Sequence, residues 1–103
     1  MCKKLIKEMA RIGVFGQYKV EVYEDHNPPH FHFTKKDCFE VTMTIEDLDI
    51  VHYKWQKDKK GITRKDIDKL VEFLESPSIR TPKMTNYERL WDFWESMNPS
   101  DDF

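Results

Sequence analysis

The sequence predicts an α+β domain: a small four-stranded, mainly antiparallel meander sheet followed by two C-terminal helices packed on one of its faces. Three observations predict it. From Val14 to Trp55 apolar and polar residues alternate with a period of two, as half-buried strands do. The breaks in that run, at Asp25–Pro29, Lys35–Asp37 and Glu46–Asp49, are short. They suit antiparallel hairpins, because parallel strands need crossovers of roughly a dozen residues or more. After Gly61 the apolar spacing lengthens to that of a helix.

Each element follows from its residues. Residues 1–11 are a charged N-terminal segment, and Leu5, Ile6 and Met9 suit a short helix within it. The sheet is expected over 12–56. Its first strand sets Tyr18, Val20 and Val22 against Lys19, Glu21 and Tyr23, and its second alternates His30 and His32 with Phe31 and Phe33. The third sets Phe39, Val41, Met43 and Ile45 against Cys38, Glu40, Thr42 and Thr44. The fourth places Val51, Tyr53 and Trp55 opposite Ile50, His52 and Lys54. Over 63–76 the stripe Ile67, Leu70, Val71, Leu74 marks a helix, with Thr63 and Asp66 as a capping pair and Ser76-Pro77 as its stop. Over 85–98 a second helix begins at the capping box Thr85-x-x-Glu88 and carries Tyr87, Leu90, Trp91 and Trp94 as a packing stripe. Asn98-Pro99 ends it, leaving 99–103 as an acidic tail.

A chain of 103 residues makes one domain with a modest core, well supplied by its 14% aromatic residues. Its net charge of −2 exerts no global pull on nucleic acid or membrane. No apolar run approaches the roughly 20 residues that span a bilayer. Lys7, Glu8 and Arg11 interrupt what would be the apolar centre of a signal peptide. Cys2 and Cys38 form no C-x-x-C motif, as expected of reduced thiols in a cytoplasmic protein.

The segment DHNPPHFHF, residues 25–33, holds three of the four histidines. His30 and His32 lie two apart on a strand, so their side chains leave one face about 7 Å apart at the backbone. Such a pair can hold a divalent, zinc-like ion, with His26 as the candidate third ligand and Asp25, Glu21 or Glu40 as carboxylate alternatives. The same groups suit metal-free acid–base chemistry, because histidine titrates near neutrality and a carboxylate can fix its tautomer. His30, His32, His26 and Asp25 are therefore the candidate catalytic residues, with Glu21, Tyr23 and Glu40 in support. The prolines fix φ and remove two backbone donors, which stiffens the turn. His52 shares the face but lies two strands away, roughly 10 Å at about 4.8 Å per strand. A second feature, KWQKDKKGITRK over 54–65, embeds Trp55 among basic residues. Lys54, Trp55, Lys57, Lys59 and Lys60 could meet phosphates while the indole stacks on a base.

The segment GQYKVEVYEDHNPPHFHF resembles the signature of a small, mostly bacterial family catalogued as domain of unknown function 4160, in which a hydrophobic strand precedes Asp/Glu-His-x-Pro-Pro-His-x-His. The likeness runs from about Gly13 to Leu74, with Asp25, His26, Pro28, Pro29, His30 and His32 at the motif positions. It implies a compact cytoplasmic domain and suggests the toxin member of a two-gene toxin–antitoxin pair, without supplying a mechanism. Two functional expectations follow. One is a metal-dependent or acid–base nuclease or hydrolase acting on RNA. The other is a non-enzymatic module whose rigid His-Pro hairpin shapes the surface for an antitoxin-like partner.

Overall fold

A computed structural model describes residues 9–25, 27–57 and 61–98. Seven elements follow in order: β1 (Met9–Phe15), β2 (Tyr18–Tyr23), β3 (His30–Lys35), β4 (Phe39–Thr44), β5 (Ile50–Gln56), α1 (Arg64–Glu75) and α2 (Asn86–Met97). The strands form one antiparallel meander in the order β1-β2-β3-β4-β5. The α+β class, the antiparallel sheet and the two C-terminal helices hold. The strand count does not, because the sheet has five strands rather than four.

The added strand is β1, and its Met9 belongs to the stretch expected to be helical; residues 1–8 lie outside the described residues. A two-residue turn explains why β1 and β2 pair. Gly16 at φ +61 adopts the left-handed backbone that favours glycine, so the chain reverses at once. A register shift between Arg11 and Gly13 blurs the alternation of β1 and hides it from a period-two reading.

Cross-strand register explains the core. Val20, Phe33 and Val41 face one another in one row, as Phe31 and Met43 do in the next, and all five are fully buried. Leu70 and Leu74 of α1 and Leu90 and Trp94 of α2 join the same cluster. Gly13 admits α1 to the sheet: a Cβ there would stand 2.6 Å from Phe73 Cζ, and the Phe73 ring stacks on Phe15 at 4.1 Å between centroids. Both helices begin with complete capping boxes, Thr63 with Asp66 and Thr85 with Glu88.

Asp66 also ties α1 to the sheet. Tyr18 Oη donates to its Oδ1 at 2.7 Å, Lys35 Nζ lies 3.2 Å from the same oxygen, and Thr63 supplies donors to Oδ2. Burial pushes this carboxyl up, but the hydrogen bonds from Tyr18, Thr63 and Lys35 outweigh burial and hold it below its ordinary 3.8. Among the described residues, no helix is long and apolar enough to cross a membrane.

The expected inward set of β5 is not buried. Val51, Tyr53 and Trp55 are 57%, 36% and 40% exposed. Register shifts on both sides of the Val41–Thr42 pair break the two-residue period, and β5 ends the sheet.

Candidate functional site

One polar row crosses all five strands. Arg11 opposes Glu21, Glu21 opposes His32, His32 opposes Thr42, and Thr42 opposes His52. Strand alternation puts His30 on the same face as His32, and the two ring centroids stand 6.1 Å apart.

The turn before β3 is built to hold His30. The Asn27–Pro28 peptide is cis. The Pro29 carbonyl accepts from the Ile45 amide at 3.1 Å, and the Asp25 amide donates to Asn98 Oδ1 at 2.8 Å. His30 Nδ1 donates to the Pro28 carbonyl at 2.7 Å, since a carbonyl can only accept. Its Nε2 stands 3.3 Å from Asp25 Oδ2. The ring is 9% exposed and lies 5.2 Å from the Trp94 indole between centroids. Trp94 therefore backs the site as well as filling the core, the one role its helical spacing predicts.

His32 has a second carboxylate. Its Nδ1 is 3.3 Å from Glu40 Oε2, diagonally across the β3–β4 pair. That contact is an ion-pair distance without hydrogen-bond geometry, so the buried Nδ1 makes no hydrogen bond among the described residues. Tyr23 packs edge-on against the ring at 4.6 Å. Burial pushes the imidazole below its ordinary 6.5, outweighing the upward pull of Glu40; His30 and Lys54 push the same way as burial.

Glu21 serves the sheet more than the histidines. It is 5% exposed, its Oε2 accepts from Arg11 Nε and Nη2 at 3.1 and 3.0 Å, and its Oε1 accepts from Tyr23 Oη at 3.2 Å. Burial, and then the charge of Glu21, push the Tyr23 phenol above its ordinary 10.0.

The basic segment meets the site through Glu40. Lys54 Nζ stands 3.8 Å from the same Oε2 that faces His32, and Trp55 opposes Glu40 across the β4–β5 pair. Lys57 is exposed, with its amide bonded to the Cys38 carbonyl at 2.8 Å. His26, Lys59 and Lys60 lie outside the described residues.

Among the described residues, no three His, Cys, Asp or Glu side chains converge as metal ligands do. His30 has both nitrogens turned to oxygen atoms, so ligation through Nε2 would displace Asp25. Sequence reasoning missed Arg11 and Asn98 as parts of the site. Arg11 sits in a strand that went unread. Asn98 reaches Asp25 across 73 positions of chain, and only its place just beyond a helix end hints at a free side chain.

The described residues form an antiparallel α+β domain with two histidine–carboxylate pairs on one side of its sheet. No protein-family model, no curated protein and no solved structure matches the chain.

Proposed function

We propose that the protein is a metal-independent acid–base ribonuclease of toxin type, acting at the sheet face beside the β2–β3 turn. The observation that carries this reading is the pair of histidine–carboxylate contacts, His30–Asp25 and His32–Glu40, both at 3.3 Å with rings 6.1 Å apart. Cleavage of RNA needs a base for the 2′-hydroxyl proton and an acid for the departing 5′-oxygen. His32, whose partly buried ring is held below its ordinary range and so stays neutral, takes the first proton. The 2′-oxygen then bonds to phosphorus as the bond to the 5′-oxygen breaks. The His30–Asp25 pair delivers a proton to the leaving oxygen through Asp25, its more exposed member. The products are a 2′,3′-cyclic phosphate and a 5′-hydroxyl, and water restores both pairs. Lys54, beside Glu40 and 63% exposed at its side chain, and Trp55 supply a cation and a stacking face for the strand.

The test is cleavage of single-stranded RNA by purified protein in the presence of EDTA, with the ends of the products identified. His32→Ala is expected to lower the rate by about 10²–10⁴-fold. Undiminished cleavage by the His30→Ala/His32→Ala double variant overturns the reading, as does strict dependence on added metal.

A second reading rests on the burial of His30 between the Pro28 carbonyl and Trp94. That ring can act as a strut for a rigid hairpin that a partner protein recognises, with no turnover. It predicts that His30→Ala destabilises the fold while His32→Ala leaves partner binding intact. The His32 variant therefore separates the two readings.

A further inference from the structure

β5 presents an open edge. It pairs with β4 on one side, and no other described strand flanks it. Val51 through Lys57 are all exposed; the register shifts turn Tyr53, opposite Val41, and Trp55, opposite Glu40, to different faces of the sheet, so the edge has an exposed ring on each side. A strand in this position offers a row of main-chain N–H and C=O groups to any extended segment laid beside it.

Charge selects among the segments that could fit. From Ile50 to Lys57 the chain carries Lys54 and Lys57 and no carboxylate, while the molecule as a whole is at −2. A second copy would bring like charges together along the edge, which weakens strand pairing. An acidic segment does not meet that charge penalty. Nucleic acid could use the lysines but has no use for a main-chain edge at strand spacing.

We propose that the outer edge of β5 is a strand-addition site for an extended acidic segment of a partner protein, with its carboxylates near Lys54 and Lys57 and its apolar residues on the side of the sheet that Tyr53 faces. This inference assigns Lys54, Lys57 and Trp55 to a protein segment rather than to RNA; it does not depend on the histidine pairs, because it rests on the main-chain edge and its charge.

Three probes test it on the full chain: a ten-residue peptide alternating Glu and Val, the same peptide with Lys for every Glu, and oligouridine. The change in tryptophan fluorescence, to which Trp55 contributes with Trp91 and Trp94, reads affinity, and amide hydrogen exchange reads location. The acidic peptide is expected to bind about tenfold or more tighter than the basic one, with added protection confined to β5. In the Lys54→Glu/Lys57→Glu variant the preference should invert. Equal affinity for the two peptides, protection elsewhere than β5, or binding of oligouridine alone overturns the proposal. The comparison of peptides on the unaltered protein stands even where the reversal variant folds poorly.

Discussion

His32 is a partly buried imidazole 3.3 Å from a carboxylate, and its burial wins the contest over its proton. The consequence for stability has a definite sign. In the unfolded chain the ring takes a proton near its ordinary 6.5, whereas the folded ring resists until a lower pH. Between those values the unfolded state binds more protons, so stability falls as pH drops below about 6.5. His32→Gln should flatten that part of the curve, measured as urea midpoints between pH 7.5 and 5; an unchanged slope would show that the ring titrates freely. His30 differs in kind. Its Nδ1 donates to the Pro28 carbonyl and its Nε2 faces Asp25, so both nitrogens have an oxygen neighbour.

At the scale of elements, Asp66 decides how α1 meets the sheet. It completes the capping box with Thr63 and accepts from Tyr18 and Lys35 across the helix–sheet boundary. Asp66→Ala removes a cap and leaves the buried Tyr18 hydroxyl without its acceptor. The expected loss is about 2–4 kcal/mol in chemical denaturation. The depressed carboxyl adds a second acid window. Its contribution is present above its ordinary 3.8 and is lost as pH falls through the lower folded value. The Asp66 variant should therefore lack the steep loss of stability below 3.8 while keeping the one that begins near 6.5.

Across the whole molecule the net charge of −2 gives no global pull on RNA, so the proposed ribonuclease needs a local positive path, for which Lys54, 3.8 Å from Glu40, and the exposed Lys57 are the candidates among the described residues. Affinity for single-stranded RNA should fall with salt, and Lys54→Ala/Lys57→Ala should reduce the slope of log K against log salt by about 2. Filter binding across a salt series checks it. A slope unaffected by the double variant would place the RNA path elsewhere.

The α1 and α2 stripes, both helix caps, the core rows of β2–β4 and the shared face of His30 and His32 were legible in the sequence. These are local properties: a period or a capping pair is written within a few residues, and alternation alone sends side chains to one face. What the chain does over long separations was not legible. β1 lost its signal to a register shift, β5 kept an alternation that its edge position made irrelevant, and Trp94 was readable only as packing. Arg11 on Glu21, Asn98 on the Asp25 amide and Lys54 beside Glu40 are contacts between elements. Only the tertiary structure decided them, because sequence periodicity sets which way a side chain points and the packing of elements sets what it meets.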